Sequence, residues 1–109
     1  MRLSEYQQRS RATAVYPGAG ANLLYPTLGL CGEAGEVAEK VKKMLRDDAG
    51  VLTDERPAAL SAELGDVLWY VAQVATEAGL DLEAIAAGNV AKLASRAERG
   101  RLAGDGDER

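Results

Sequence analysis

The sequence predicts an all-α protein with four helices in an antiparallel arrangement, completed by oligomerisation. Apolar residues recur at intervals of three and four along three long stretches, a spacing that keeps one face of a helix apolar. Pro and Gly separate these stretches, and no segment alternates polar and apolar residues as a half-buried strand does. With 109 residues, the chain is one small domain or one protomer of an assembly, because so short a chain buries only a modest core.

Start and stop signals place the four helices at residues 5–14, 25–46, 58–78 and 82–98. Ser4 and the glutamine three residues later have capping-box spacing at the start of the first helix. Pro57 suits the first turn of the third helix, and Asp81 is a favourable N-cap for the fourth. Residues 1–99 are therefore predicted to form a single helical domain. A flexible tail is predicted at 100–109, where Gly, Asp and Arg dominate the composition.

The predicted helices differ in the faces that they offer for packing. Apolar residues of the third helix are expected to face the core: Leu60, Leu64, Val67, Leu68, Val71, Val74 and Ala75. The fourth helix has fewer such positions: Ile85, Ala86, Val90 and Leu93. Gly29, Gly32 and Gly35 interrupt the second helix, and each costs about 1 kcal/mol relative to Ala. Three in one helix predict that another backbone or a ligand approaches closely there.

Composition excludes several classes of function. The net charge of −4 argues against binding long nucleic acids through their phosphates. Without histidine, zinc sites with His ligands and His-based catalysis are unavailable, and one cysteine cannot form an internal disulfide. No apolar run is long enough to span a membrane, and the N-terminus is too polar for a secretory signal. We therefore expect a cytoplasmic protein without a membrane partner.

Two similar segments carry the candidate site: residues 30–37 (LCGEAGEV) and residues 60–67 (LSAELGDV). Each holds two acids three residues apart, which a helix places on neighbouring parts of one face. The pairs are Glu33 with Glu36, and Glu63 with Asp66. Glu33 and Glu63 also fall within the apolar stripe of their helices, where an acid is costly unless something neutralises it.

The two acidic pairs predict a metal site. Helices joined by a short loop pack antiparallel, so Glu33 can face Asp66 while Glu36 faces Glu63. Four carboxylates in a partly apolar cleft cannot all stay ionised without a cation. Oxygen ligands select hard divalent ions, which makes Mg²⁺ the expected cofactor and Mn²⁺ an alternative.

The basic residues that follow the first acidic pair leave two interpretations open. Lys40 and Lys43 lie on nearly the same helix face as the acids and could meet the phosphates of a substrate. Alternatively, Glu36 with Lys40 and Glu39 with Lys43 are surface ion pairs worth about 0.3–0.5 kcal/mol each. The second interpretation leaves Glu33 and Glu63 unexplained.

These motifs resemble the MazG-like, all-α nucleoside triphosphate pyrophosphohydrolases. The resemblance rests on the Glu-x-x-Glu and Glu-x-x-Asp segments and extends over nearly the whole chain, including Trp69-Tyr70 and the later pattern from Asn89 to Gly100. It implies Mg²⁺-dependent cleavage of a nucleoside triphosphate to the monophosphate and pyrophosphate, often as house-cleaning of noncanonical nucleotides. It also implies that the metal ligands and catalytic residues are Glu33, Glu36, Glu63 and Asp66.

The resemblance further assigns substrate contacts and an assembly state. Asn89 and Lys92 would touch phosphate or sugar, with Arg96 as a further candidate, and Tyr70 would line the nucleotide pocket. Relatives form dimers or dimers of dimers that share this pocket, so a homodimer or homotetramer is expected. The acidic tail, Gly104-Asp105-Gly106-Asp107, departs from what a phosphate site favours.

Two other functions remain possible from the sequence. One is a non-catalytic regulatory module that binds a nucleotide through Mg²⁺. The other is a purely structural helical assembly in which the charges form surface ion pairs.

Overall fold

Four α-helices and one 3₁₀ turn form the chain, which the computed structural model describes over all of residues 1–109. The helices are α1 (Leu3–Ser10), α2 (Leu24–Asp47), α3 (Arg56–Glu77) and α4 (Leu82–Glu98), and the 3₁₀ turn is Arg11–Thr13. There is no strand, so the predicted all-α class is confirmed. No helix combines the length and the apolar character that crossing a membrane requires.

The main packing unit is an antiparallel hairpin of α2 and α3. Its two helices approach closely at Gly29, where a Cβ would lie 2.1 Å from the Tyr70 ring. The sequence predicted another backbone or a ligand at this position, and the neighbour of Gly29 is instead a side chain. No atom of the chain lies within 4 Å of a Cβ built on Gly32 or Gly35, so for these two the approach of a ligand stays a prediction.

A buried carboxylate, Glu77 near the end of α3, anchors the loop that leads into α2. Its side chain is only 1% exposed and accepts hydrogen bonds from the Tyr16 hydroxyl and the Gly20 N–H. The Arg11 guanidinium, 3.2 Å away, supplies the opposite charge. Asn22, which precedes the N-cap residue Leu23, accepts a hydrogen bond from the Tyr25 N–H at 3.0 Å and so satisfies one free donor in the first turn of α2. These contacts fix where α2 starts relative to α3.

Helix α1 joins the hairpin to α4. The Gln7 side chain donates to the Leu80 carbonyl and accepts from the Leu82 N–H, both at 2.8 Å. Asp81 caps α4 by accepting from the Glu83 N–H, as predicted. Helix α4 consequently packs against α1, whereas its contacts with α2 and α3 are few at most.

Three features of the predicted helices are wrong in detail. Ser4 lies inside α1, because the backbone N–H of Arg2 is met by Glu5 and the helix starts at Leu3. The first helix ends at Ser10 and not at residue 14, since the Ser10 and Thr13 hydroxyls donate to backbone carbonyls three residues earlier. Several residues expected in the core are exposed, because no helix of the same chain covers them: Leu64, Leu68, Ile85, Val90 and Leu93.

The tail after α4 turns back toward that helix. Gly100 and Gly106 have positive φ angles of 66° and 87°, which favour glycine. Asp107 thereby reaches Lys92 and Arg96 of α4. The predicted flexibility of the tail stays a prediction.

Glu77→Gln should lower the melting temperature at pH 7 by more than about 5 °C. Gln lacks the negative charge that pairs with Arg11 and strengthens the hydrogen bonds from the Tyr16 hydroxyl and the Gly20 N–H. The Tyr16 hydroxyl, followed by the Gly20 N–H, lowers the pKa of Glu77 to about 2. The ionised Glu77 carboxylate therefore contributes its full stabilisation above the unfolded-state pKa of about 4.3. This contribution is lost as the pH falls toward 2.

The difference in melting temperature between wild type and Glu77→Gln should accordingly shrink below about pH 4. Glu98→Gln is the matched control, because Glu98 is exposed and makes no ion pair or side-chain hydrogen bond. Equal melting temperatures for the two variants at pH 7 would contradict the anchoring role.

Candidate metal centre

Three carboxylates meet where α2 and α3 face each other. Glu33 of α2 and both Glu63 and Asp66 of α3 each offer an oxygen, and the three oxygens all lie within 4.8 Å of one another. Glu33 and Glu63 are half-buried, whereas Asp66 is exposed. The antiparallel arrangement predicted from the sequence produces this convergence, since one helix rises as the other descends.

Mutual repulsion makes this cluster electrostatically unfavourable without a cation. Desolvation raises the pKa of Glu33 above its usual value, and the charges of Asp66 and Glu63 raise it further. Carboxylates this close cannot all remain ionised at low cost unless a proton or a metal ion neutralises them. Three oxygen donors around one point suit a hard divalent cation, so the residues present fit such an ion.

Glu36, the fourth predicted ligand, lies outside the group of three. It is exposed on α2, one turn beyond Glu33, and its charge contributes only the last of the causes that raise the pKa of Glu33. The structure brings three of the four predicted acids together, and a ligand role for Glu36 stays a prediction.

One cation of the chain already faces the cluster. The Lys40 ammonium lies 3.7 Å from a Glu63 oxygen, and the two side chains are 32% and 17% exposed. The alternative interpretation paired Glu36 with Lys40 and Glu39 with Lys43. Both pairings are wrong. Lys40 instead faces Glu63 across the helix interface. Glu39 pairs with Lys42 at 3.0 Å and not with Lys43.

A pocket of about 360 Å³ lies beside the cluster, between the end of α2 and the start of α3. Lys40, Lys43 and Arg56 line it, and five of its eleven lining residues are apolar. Arg56 is paired with Asp48 at 2.7 Å and Lys40 faces Glu63, which leaves Lys43 as the lysine of this pocket without an ion pair.

Aromatic residues surround the other end of the cluster. The Tyr70 ring packs on Gly29 and meets Trp69 edge-on at 5.0 Å. Desolvation raises the pKa of Tyr70, and the charges of Tyr25, Glu33 and Asp66 raise it further. Trp69 donates its indole N–H to Thr13 at 2.9 Å, so it packs between helices.

The predicted substrate residues of α4 form a separate group. Asn89 is exposed, whereas Lys92 and the buried Arg96 both contact the Asp107 carboxylate. Because α4 packs on α1, one chain does not assemble these residues with the carboxylate cluster. Sequence reasoning missed the partner, Asp107, although the acidity of the tail was the available signal.

Comparison with known proteins identifies the family. The MazG nucleotide pyrophosphohydrolase domain matches residues 24–100, a span that includes all three clustered acids and the whole of α4. The chain belongs to this family. Its all-helical fold agrees with this assignment.

A protein of Mycobacterium phage L5 is similar along its whole length. It is 50% identical over 114 residues, which cover all of both chains, and it is named "Gene 37 protein". That name states no activity. No solved structure matches the chain.

Glu33→Gln should raise the melting temperature at pH 7 in the absence of divalent ions by roughly 3 °C. The raised pKa of Glu33 means that its ionisation opposes folding. The gain should vanish below about pH 4, where the carboxyl is protonated in both states, and grow as the pH rises through the folded-state pKa.

Thermal unfolding of wild type, Glu33→Gln and Glu36→Gln measures this repulsion. Glu36→Gln is the matched control, since it removes the same charge from the same helix outside the cluster. If Glu33→Gln were no more stable than this control, the cluster would not be under electrostatic strain.

Proposed function

We propose that this MazG domain is a Mg²⁺-dependent nucleoside triphosphate pyrophosphohydrolase. It would cleave a ribo- or deoxyribonucleoside triphosphate to the monophosphate and pyrophosphate, in house-cleaning of noncanonical nucleotides. The observation that carries the proposal is the convergence of Glu33, Glu63 and Asp66 on one point between α2 and α3. Family membership supplies the reaction class, and the proposal includes action in the cytoplasm.

Glu33, Glu63 and Asp66 would hold the metal, with Glu36 as a fourth ligand or as a catalytic carboxylate. Mg²⁺ bound by carboxylates is usually completed by water and substrate phosphates, and Mn²⁺ fits the same oxygen donors. When bound, the ion neutralises phosphate charge and increases the acidity of a coordinated water.

Other residues of the chain would bind the nucleotide and accept a proton. Tyr70 would line the nucleotide pocket beside the acids, and Lys43 is free to meet a phosphate. Hydrolysis requires that a water oxygen bonds to the α-phosphorus while the bond between that phosphorus and the α–β bridging oxygen breaks. The water proton passes to a carboxylate, and exposed Glu36, outside the group of three, is available to accept it.

Assembly into a homodimer or homotetramer is part of the proposal. The radius of gyration is 16.8 Å, whereas a compact chain of this length has about 13 Å. The accessible surface is 7363 Å², against about 5,800 Å² for a compact monomer of this mass. The excess exceeds the ~800 Å² per partner that a standard interface buries. A second copy could bring Asn89, Lys92 and Arg96 of its α4 to the carboxylates.

The two other functions predict different behaviour. A regulatory module would bind a Mg²⁺–nucleotide complex without releasing pyrophosphate. A structural assembly would respond to neither Mg²⁺ nor nucleotide. The repulsion among the three acids favours the proposals that include a metal, since a cation bound only by the folded state stabilises it.

Glu63→Gln should reduce kcat/KM for pyrophosphate release by at least about 100-fold, because it removes one of the three carboxylates proposed to bind the metal. The assay would use a panel of common and modified nucleoside triphosphates with Mg²⁺. Glu39→Gln is the control, since Glu39 lies on α2 but pairs only with Lys42, and it should keep near wild-type activity. Saturable nucleotide binding without pyrophosphate from any substrate would instead favour the regulatory module.

Sedimentation equilibrium should give a mass of two or four times the chain mass of 11.5 kDa. Leu64→Gln should weaken the assembly, because this side chain is 52% exposed in one chain and belongs to an uncovered apolar face. Ala78→Gln is the control, since it adds the same group at the exposed C-cap position just after α3, and it should not weaken the assembly. A wild-type monomer at micromolar concentration would contradict the proposed assembly.

A further inference from the structure

The Asp107 carboxylate occupies a basic site on α4. One of its oxygens lies 2.8 Å from the Lys92 ammonium and 3.3 Å from the Arg96 guanidinium. Arg96 also donates to the Asp107 backbone carbonyl. Lys92 and Arg96 are four residues apart on one helix, so both cations point to the same spot.

Arg96 needs an anion at this position. Its side chain is only 6% exposed, and Asp107 is the only acid with which it pairs. A buried guanidinium without a counter-charge is strongly destabilising. The two cations therefore form a built site for an oxyanion, with a nine-tenths buried arginine as its inner wall.

The carboxylate that fills this site is open to solvent. Asp107 itself is 79% exposed, and it belongs to the short segment after α4. Arg99 holds the same segment by donating to the Arg109 carbonyl at 2.8 Å. Beyond the first residues after α4, where the Arg101 N–H donates to the Arg96 carbonyl, the tail contacts α4 through the ion pairs of Asp107 and this Arg99 hydrogen bond.

We propose that Asp107 is a built-in competitor at an oxyanion subsite made by Lys92 and Arg96, and that a phosphate group of the ligand displaces it. A phosphate group offers three oxygens and up to two charges, whereas the Asp107 carboxylate offers two oxygens and one charge. The tail would therefore exclude weakly charged anions and admit phosphorylated ones. This inference rests on the proposed function for the identity of the ligand, but the anion subsite does not require the metal.

Binding of inorganic pyrophosphate to the full chain without divalent ions tests the proposal. Asp107→Asn should bind pyrophosphate roughly three- to tenfold more tightly than wild type, because the competing charge is gone. Asp105→Asn is the matched control, since Asp105 lies in the same tail and hydrogen-bonds only to the adjacent Gly106 N–H. Lys92→Met combined with Asp107→Asn should abolish the gain. Isothermal titration calorimetry gives all four affinities.

Two results would overturn the proposal. One is an equal pyrophosphate affinity for Asp107→Asn and Asp105→Asn. The other is a weaker affinity in Asp107→Asn together with a lower melting temperature that pyrophosphate does not restore, which would give Asp107 a purely structural role. Loss of turnover in Glu63→Gln concerns the metal centre alone, so the two proposals succeed or fail separately.

Discussion

The contact between α2 and α3 at Gly29 and Tyr70 is the constraint on which the candidate site depends. Because no Cβ stands at position 29, the Tyr70 ring lies directly on the α2 backbone. This contact sets the separation and register of the hairpin, and one turn further along α2 the same register brings Glu33 to Glu63 and Asp66. A side chain at position 29 would push the helices apart and separate the three carboxylates.

The hairpin brings together charges that oppose its own stability. Glu33 faces two acids, and Lys40 supplies only partial compensation through Glu63 at 3.7 Å. At the opposite end of α3, Glu77 is surrounded by donors and its charge supports the fold. The same residue type thus has opposite effects on stability, and the unfavourable position is the one that a ligand can relieve.

The sequence predicted the helices and the acidic cluster because both follow from local periodicity. A spacing of three between acids, repeated on two helices joined by a short loop, determines where Glu33, Glu63 and Asp66 meet. The exposed faces of α3 and α4 could not be predicted in this way, since periodicity shows which face is apolar but not which element covers it. Lys40 and Asp107 were missed as partners because each ion pair joins residues whose proximity only the tertiary structure determines.

Within one chain, the carboxylate cluster and the basic residues of α4 belong to different pairs of packed helices. This arrangement has an energetic consequence for the assembly. The carboxylates lie between α2 and α3, whereas the basic pair of Lys92 and Arg96 lies on α4, which packs against α1. A triphosphate that touches both groups would have to bridge two copies in the proposed assembly. Ligand binding and subunit association would then be coupled, and each would strengthen the other by the same free energy. A chain with so small a core would gain stability from its ligand through the partner as well as through the metal centre.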